Sequence, residues 1–486
     1  MKTINLWVLV AILVYCTSSQ AQEKQKILPA SAKELVPVLP SAAKSYPKIL
    51  PASAKELVPV LPSAAKSYPK TDYPQAEWSV AGEILMHTPG QELFNGVIHP
   101  SAGLFEDYFS VDKAAEEHQN YIKMLEANGI RVHTVADILH EVGIDSLRQL
   151  AADVLVYDIS AIPDENADET EAYRQDVLAK MSRADLIRCI LLQPTVVLSK
   201  TDNNTGYEAQ YVQNPLMNLY FTRDQSVTTP RGHIICRMNS SQRAPETDII
   251  NLCYEHLGLK PILRIEGDGR LEGGDYIPAG TMSLIGCGMR TNDEGIHQMM
   301  EADAFGHDTI VIVRDHKLWQ MQMHLDTHFN IIDRDLCTMV RSRLEAQQGS
   351  PEFNTCDIWV RKPGTKQYRL WKQDLSFVDF LCNRGFQIIP IDEADEMHYA
   401  NNFLTIAPRH IMAVGGQSET LQQRFRDAGV TVEWIPLESL IDGYGAAHCM
   451  TQVLQREVYD SMTTSASYGI VTPKTKKHIN RRKKRR

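Results

Sequence analysis

The chain has 486 residues, of which 43% are hydrophobic and 23% are charged. This length and composition allow a large buried core, organised as one large or two to three ordinary domains. The formal net charge is −10. No internal run approaches the ~18 apolar residues that a transmembrane helix requires.

The first residues have the pattern of a secretory signal peptide. Lys2 supplies a positive charge, residues 6–16 are almost all apolar, and Ser19-Gln20-Ala21 is a small-x-small cleavage pattern. We therefore expect residues 1–21 to direct secretion or periplasmic export and then to be removed. The alternatives are an uncleaved N-terminal anchor and a cytoplasmic protein.

Residues 22–77 are predicted to form a proline-rich linker. Residues 27–48, ILPASAKELVPVLPSAAKSYPK, are repeated letter for letter as residues 49–70. Proline at this frequency prevents a long helix or a central strand, so the segment is expected to be extended and semi-rigid. A recent in-frame duplication explains the repeat; an adhesive or tethering role has no further support.

Residues 78–470 are predicted to form the catalytic domain, and its pattern is α/β. Residues 82–86 resemble a strand, residues 111–128 an amphipathic helix ended by Gly129, and residues 131–135 a second strand. Residues 136–200 change to helical periodicity, in 146–157 and 168–192, which predicts an inserted helical subdomain.

Short apolar strands then recur, with helices between several of them. This alternation favours a closed, repeated ββα arrangement over one doubly wound sheet. The predicted strands are 234–236, 282–285, 309–313, 357–360, 387–390, 403–406, 410–413 and 431–435.

The last segment, residues 471–486, is expected to be a disordered basic tail. It holds nine lysines and arginines, so it could contact polyanions non-specifically, but no folded nucleic-acid module accompanies it. The cysteines after Cys16 are scattered and contain no CxxC pair, which suggests neither a zinc site nor a disulfide scaffold. Their pairing is left open.

Four patches concentrate reactive groups. The first, residues 214–224, is an apolar run that is expected to deliver Arg223 and Asp224 where a strand meets a loop. The second, residues 271–275, places Glu272 and Asp275 on either side of a Gly-Gly turn. Taken alone, the first is more often a surface ion pair and the second an ordinary tight turn.

The third patch contains His324 and Asp326, which would project together if this segment is a strand. A histidine beside a carboxylate suits general acid–base chemistry, and a half-buried polar strand is the alternative. In the fourth patch, residues 443–452, small residues lead into His448-Cys449. They leave room above a thiol, although a structural buried cysteine is the usual alternative.

A thiol, a histidine and several carboxylates together favour a planar cationic substrate. Carboxylates grip the N–H fork of a guanidinium bidentately. A cysteine pKa near ~8.5 would fall beside such a cation, so that the attacking thiolate becomes available.

The blocks NLYFTRD, LEGGD, MHLDT and HCMTQ occur in this order and resemble the signature blocks of arginine deiminase, in the guanidino-modifying (amidinotransferase) superfamily. EILMHTP and LFED resemble the opening of the same enzymes, and the similarity covers about residues 78–457. The resemblance implies a five-bladed, pseudo-symmetric α/β propeller with a helical insertion. It implies no metal and no organic cofactor.

Position by position, the resemblance implies that Cys449 is the nucleophile and His324 the general acid and base. Asp224 and Asp326 would hold the guanidinium, with Glu272 beside His324. L-arginine would be hydrolysed to L-citrulline and ammonia through a covalent thiouronium-type intermediate.

The resemblance also implies residues that contact the rest of the substrate. Arg243 and Arg290 would face its carboxylate, and Asn218, Phe221 and Gly443 would line its length. The small-molecule substrate is the expected specific partner, and a homo-oligomer is the expected assembly, although the sequence does not give the oligomeric state.

One departure bears on substrate choice. Tyr444 occupies a position where similar enzymes often carry a substrate-binding arginine. The alternatives are therefore a deiminase of agmatine, peptidyl arginine or methylated arginine, or an amidinotransferase. A non-catalytic exported binding protein is a further alternative, against which the complete set of reactive residues argues.

Overall fold

Strands and helices alternate from residue 81 to residue 456 in the computed structural model, which describes residues 76–203 and 205–457. All described residues belong to one compact unit, Tyr68–Arg486. The predicted signal peptide, duplicated repeat and basic tail lie outside the described residues. The end of the predicted linker does not, because Ala76 and Glu77 are buried in this unit.

The protein is a mixed α/β protein in which one three-stranded plan occurs five times. In each unit the middle strand pairs antiparallel with one neighbour and parallel with a strand that follows it in the chain. A parallel partner requires a crossover connection, which explains why helices separate the strands. The units, with the middle strand first, are Ala81–Met86 with Gln452–Arg456 and Arg131–Thr134; Gly232–Ile235 with Ser226–Thr229 and Leu263–Arg264; Met282–Cys287 with Tyr276–Pro278 and Thr309–Arg314; Leu336–Val340 with Phe329–Asp333 and Gln387–Ile391; and His410–Val414 with Leu404–Ala407 and Thr431–Ile435.

The third unit is widened by two antiparallel strands, Thr355–Arg361 and Tyr368–Ser376.

Serine side chains accept a backbone N–H at several helix starts, as Ser110 does from Lys113, and so satisfy otherwise free donors,. The helices are Gln91–Val97, Val111–Ala127, Val135–Glu141, Ile144–Val154, Ala167–Lys180, Arg183–Leu192, Glu246–His256, Asp293–Glu301, Leu325–His328, Arg341–Leu344, Phe377–Asn383, Glu393–Glu396 and Glu419–Asp427, with short 3₁₀ turns at Pro100–Gly103, Gly273–Asp275, Gln320–Gln322 and Leu440–Gly443.

The inserted subdomain contains strands that its helical periodicity did not predict. Pro194–Lys200 pairs with Val156–Asp158 and with Tyr207–Gln213 to form a further three-stranded sheet. The single helix predicted over 168–192 is two helices, because Ser182 caps a new start at Arg183. The largely polar and exposed strand Tyr207–Gln213 explains why a search for apolar runs missed it.

Two local predictions are wrong. His324 has extended backbone, but Asp326 lies in the first turn of the short helix Leu325–His328, so the two residues do not share a strand face. Asp224 lies in a series of turns before the strand Ser226–Thr229, and it does not follow a strand. In both places the side chains are positioned by contacts with distant segments, which the local pattern does not contain.

The first and last described strands lie side by side. Ala81–Met86 pairs with Gln452–Arg456, and this pairing brings Cys449, just before the last strand, into the buried core. Within residues 76–203 and 205–457, no helix has the length and apolar character of a membrane span.

Candidate active site

Cys449 lies at a small cavity that histidine, aspartate and arginine side chains also line. The cavity brings together residues from six separate segments of the chain. Its lining consists of Leu104, Asn218, Phe221, Asp224, Arg243, Arg290, Gln320, Met323, His324, Gly443, Tyr444 and Cys449. Glu272 and Asp326 lie behind this lining, in contact with His324 and Cys449 respectively.

The backbone around Cys449 is held by one side chain. The Asn402 side-chain oxygen, Oδ1, accepts the backbone N–H groups of Ala446, at 2.9 Å, and of Cys449, at 3.1 Å. Small residues are required here, because a Cβ at Gly443 would overlap the Tyr220 hydroxyl, and one at Gly445 would lie 2.7 Å from the Phe221 ring. The Gly-rich approach to the thiol is therefore a packing requirement.

His324 is surrounded by carboxylates. Its Nε2 lies 2.8 Å from Glu272 Oε2, and its Nδ1 lies 3.7 Å from Asp224 Oδ1. Burial disfavours the imidazolium, but Asp224, Glu272 and Asp275 outweigh it and raise the pKa of His324 to about 9. His324 therefore carries a proton at neutral pH, as a general acid requires.

Asp224 and Asp326 each use one carboxylate oxygen and leave the other without a hydrogen bond. Asp224 Oδ2 accepts from Arg243 at 2.7 Å, and Asp326 Oδ2 accepts from His448 at 2.6 Å. The two Oδ1 atoms are buried and have no hydrogen-bond partner among the described residues, although Asp224 Oδ1 lies 3.7 Å from His324 Nδ1. Buried acceptors of this kind are costly unless a ligand or water satisfies them.

The thiol is neutral in this state. Burial, with the negative charges of Asp326 and Asp224, raises the pKa of Cys449 well above its ordinary value. The nearest of these charges, Asp326 Oδ2, lies 3.8 Å from Sγ. A cation bound between the carboxylates would reverse this effect, because opposite charge favours the thiolate.

Arg243 and Arg290 differ in how far they are already engaged. Arg243 donates to Asp224, to Glu246 and to the Asn218 carbonyl oxygen, so its fork is largely used within the protein. Arg290 donates to Gln320 at 3.0 Å and lies 4.0 Å from Glu272, while its Nε has no partner among the described residues.

The remaining predicted substrate contacts line the same cavity. The Asn218 side chain donates to the Gly103 carbonyl oxygen at 2.9 Å. The Phe221 ring stacks on Tyr220, with ring centroids 4.1 Å apart, and it faces Gly443 and Gly445. Tyr444 has a left-handed backbone, at φ 65°, directly after the short turn Leu440–Gly443.

Three buried residues at the site, Asn402, Glu246 and His448, were not predicted to act there. Asn402 holds the Cys449 loop, Glu246 pairs with Arg243, and His448 joins Asp326 to Glu77. For His448, adjacency to Cys449 was an available signal. Asn402 carries no signal in its own neighbourhood, because its partners Ala446 and Cys449 lie 44 and 47 residues away in the sequence. Glu246 lies only three residues from Arg243, so a local pattern could have suggested this pair.

One set of groups has the spacing of a metal site. One ligand atom each from Asp224, Glu272 and His324 lie within 4.8 Å of one another. The same groups already form an acid–base cluster, in which His324 contacts Glu272 and the cation of Arg243 pairs with Asp224. The hydrogen bond and the ion pair that these groups form are the kinds of contact that proton transfer and cation binding use.

The fold and the site define a mixed α/β protein with a buried cysteine beside a histidine and several carboxylates. The sequence model of the family described as arginine deiminase matches residues 102–456. This match spans well over half of the chain, and the protein therefore belongs to the arginine deiminase family.

Individual relatives are similar over nearly their whole length. An arginine deiminase from Halobacterium salinarum is 27% identical over 478 residues, covering 78% of this chain and 96% of the relative. One from Staphylococcus haemolyticus is 27% identical over 401 residues, covering 77% and 95%. A solved dimethylarginine dimethylaminohydrolase adduct aligns with a TM-score of 0.45 at 17% identity, covering 76% of this chain and 98% of that one.

Proposed function

We propose that this protein hydrolyses the guanidino group of L-arginine to L-citrulline and ammonia through a covalent bond to Cys449. The observation that carries the proposal is the meeting, in one buried site, of a thiol, a protonated imidazole and two carboxylates with free oxygens. Membership of the arginine deiminase family supports the same substrate.

Substrate binding uses the unsatisfied carboxylate oxygens. Asp224 Oδ1 and Asp326 Oδ1 accept N–H groups of the guanidinium, which removes the cost of leaving buried acceptors unpaired,. The bound positive charge lowers the thiol pKa and favours transfer of the Cys449 proton to solvent water, since His324 already carries its own proton. The substrate thereby helps to activate its own nucleophile.

The first half of the reaction releases ammonia. The Cys449 thiolate forms a C–S bond to the guanidinium carbon, which becomes tetrahedral. The imidazolium of His324 gives its proton to one amino group, the C–N bond breaks, and ammonia leaves a thiouronium on Cys449. Glu272, 2.8 Å from His324, stabilises the imidazolium before this transfer.

The second half releases the ureido product. Neutral His324 takes a proton from water, and the resulting hydroxide adds to the thiouronium carbon. The C–S bond then breaks, and the electron pair returns to Cys449 as thiolate. The thiolate takes the hydroxyl proton, which gives the urea group of citrulline and restores the neutral thiol. His324 is again protonated for the next cycle.

We assign recognition of the carboxylate end of the substrate to three residues that line the cavity, Arg290, Gln320 and Tyr444. Arg243 lines the same cavity, but Asp224 and Glu246 already occupy its fork. We expect free arginine to be accepted with a raised KM, because Tyr444 supplies no charge. Agmatine, which has no carboxylate for Arg290, is expected to be much poorer.

A comparison of substrates tests this proposal. Purified protein is incubated with L-arginine, agmatine and an arginyl peptide, and ureido product and ammonia are assayed. Tyr444→Arg should tighten arginine binding by about ten- to a hundred-fold, as a charge-assisted contact allows, with less effect on kcat. Equal use of arginine and agmatine by the wild type would contradict the assignment of a carboxylate contact.

We also propose that the five three-stranded units close into a five-bladed, pseudo-symmetric propeller. The support is that all five units share one order of antiparallel and parallel pairing. The fifth blade would combine the first and last described strands, Ala81–Met86 and Gln452–Arg456.

Export through residues 1–21 is a separate proposal, which rests on the charged, apolar and small-x-small pattern of these residues,. Expression of the full chain with N-terminal sequencing of any exported product tests it. A product that begins after Ala21 supports export, and an intact N-terminus retained in the cell contradicts it.

A further inference from the structure

A buried series of ionisable side chains continues from the site to the ends of the described chain. His448 Nδ1 lies 2.6 Å from Asp326 Oδ2, and His448 Nε2 lies 3.5 Å from Glu77 Oε1. Glu77 in turn forms an ion pair with Arg456. All four side chains are buried, and none of them lines the cavity of Cys449.

Glu77 is held in this position by the backbone of its own segment. The Glu77 N–H donates to the Pro278 carbonyl oxygen at 2.7 Å, and Ala76 forms a bridge with Ala279. Arg456 donates to the Ser79 carbonyl oxygen at 2.7 Å as well as to Glu77. The segment is therefore fixed on both sides, and the Glu77 carboxylate has a defined place.

The direction of the hydrogen bond at His448 follows from its partners. A carboxylate oxygen accepts, so Nδ1 donates to Asp326 Oδ2,. Burial disfavours a charged Asp326, but the bond from His448 outweighs it and lowers the pKa of Asp326. The same bond commits Oδ2 to His448 and leaves Oδ1 as the oxygen without a partner.

The Nε2 atom of the His448 imidazole also has a defined neighbour. This atom has no hydrogen bond among the described residues, and its nearest acidic partner is Glu77. The backbone carbonyl of His448 accepts from Arg223 Nε at 3.2 Å. Burial disfavours the charge of Glu77, but Arg456 and His448 lower its pKa to about 2. Glu77 thus presents a negative charge to His448 at neutral pH.

We propose that His448 is a positioning residue that fixes Asp326 with Oδ1 free for the guanidinium, and that Glu77 positions His448 in turn. Neither residue touches the reacting atoms. The inference rests on the proposed function, because Asp326 is taken to bind the guanidino group. It gives the first described residues of the chain a role in the geometry of the site.

Two amide variants of His448 separate positioning from packing. The asparagine amide reaches the position of Nδ1, so His448→Asn keeps a donor for Asp326 but loses the contact with Glu77. The glutamine amide reaches the position of Nε2, so His448→Gln keeps the contact with Glu77 but leaves Asp326 without a donor. Both variants are neutral and polar, which makes them matched controls for each other.

We expect His448→Gln to lower kcat/KM for arginine by about ten- to a hundred-fold, the effect of one charge-assisted hydrogen bond. His448→Asn should lose much less, although the two variants have similar Tm values. Equal losses in both variants, or losses that follow the Tm, would overturn the proposal.

A second measurement does not depend on turnover. The dissociation constant of guanidinium ion, measured by NMR titration, should be about ten- to a hundred-fold higher for His448→Gln than for the wild type. If arginine is not a substrate but this dependence is found, the proposed function fails and the positioning proposal stands. If both variants bind guanidinium ion as tightly as the wild type, the positioning proposal fails.

The role of Glu77 is tested by a double variant. If Glu77 acts through His448 Nε2, Glu77→Gln should reduce the kcat/KM of the wild type but add little to His448→Asn, which already lacks that contact. Additive losses would contradict the link between the two residues. Should Glu77→Gln not yield folded protein, Glu77→Asp, which keeps the charge of the pair with Arg456, is compared in the same way.

Discussion

At the scale of residues, the site is organised around charge that surrounds one imidazole and one thiol. Carboxylates raise the pKa of His324 to about 9, and burial with nearby negative charge raises that of Cys449. Both effects keep His324 and Cys449 protonated until a cation binds at the site. A guanidinium substrate supplies that cation, which connects the unusual protonation of the free site with the chemistry proposed for it.

Replacing Glu272 tests this arrangement. Glu272→Gln removes the carboxylate 2.8 Å from His324, so the pKa of His324 should fall toward its ordinary value near ~6.5,. The charged imidazolium of His324 stabilises the folded protein, because its pKa is higher in the folded than in the unfolded state. This stabilisation is fully present below about pH 6.5 and is lost as the pH rises through about 9,. NMR titration of the imidazole measures the pKa in both proteins.

An exposed carboxylate provides the control for this measurement. Glu301 lies at the end of the helix Asp293–Glu301 and is solvent-exposed, so Glu301→Gln should leave the pKa of His324 unchanged. An unchanged pKa in Glu272→Gln as well would show that Glu272 does not hold the imidazolium.

At the scale of elements, a helix on the N-terminal side anchors the loop that carries Cys449. The Glu117 carboxylate, in the helix Val111–Ala127, accepts the backbone N–H groups of Ser439 and Leu440 at distances between 2.9 and 3.2 Å. Tyr121 of the same helix donates to the Ala447 carbonyl oxygen. The loop is thus held at both ends.

Removing this anchor should weaken both the fold and substrate binding. Glu117→Ala leaves two buried N–H donors without an acceptor, so we expect the free energy of unfolding to fall by about 1–3 kcal/mol. KM for arginine should rise more than kcat falls, because Gly443 and Tyr444 lie on the loosened segment. Urea denaturation and steady-state kinetics measure the two effects.

Lys113 is the matched control, since it forms a half-exposed ion pair with the same carboxylate at 3.6 Å. Lys113→Gln should change the free energy of unfolding by about 1 kcal/mol at most, as exposed pairs do. If Lys113→Gln is as damaging as Glu117→Ala, the backbone contacts of Glu117 are not the anchor.

Strands that read as apolar runs were predictable from the sequence, and contacts between distant segments were not. The strand predicted at 431–435 is observed as Thr431–Ile435, and the helix predicted at 111–128 as Val111–Ala127. The predicted strand through His324 and Asp326 is a short helix instead, because its geometry depends on the Leu325 N–H donating to Asp275. No window around residue 324 contains that partner.

The candidate site shows the same division. Sequence blocks identified the residues that now lie around Cys449, since each block carries its own reactive side chain. They did not identify Asn402, whose hydrogen bond to Cys449 spans 47 residues of sequence, or Glu246, which pairs with the nearby Arg243 but lies outside all the blocks. The chemical roles of all these residues are predictions that the experiments above test.

At the scale of the whole molecule, the charge and composition of the chain ends differ from those of the described unit. Residues 27–70 are two copies of one proline-rich segment, and residues 474–486 hold nine basic residues. Deletion of 22–70 and 474–486 should leave kcat nearly unchanged, because every group placed at the site lies between Glu77 and Arg456. A folded but inactive truncated protein would contradict this view of the ends.

The deleted tail provides a separate readout. The full chain should bind a polyanion such as heparin in a salt-sensitive manner, since this attraction is screened and driven by counterion release. The protein without 474–486 should lose that binding while it keeps its activity. Equal binding by both proteins would place the polyanion contact elsewhere.

The covalent role of Cys449 is tested most directly by acid-quenched mass spectrometry of the protein during turnover of L-arginine. We predict an adduct on Cys449 with the mass of arginine less ammonia, and more of it in His324→Asn, because hydrolysis of the adduct needs the imidazole. Cys449→Ser should remain folded, form no adduct and lose turnover. Turnover that persists in Cys449→Ser, or an adduct on another residue, would contradict the mechanism.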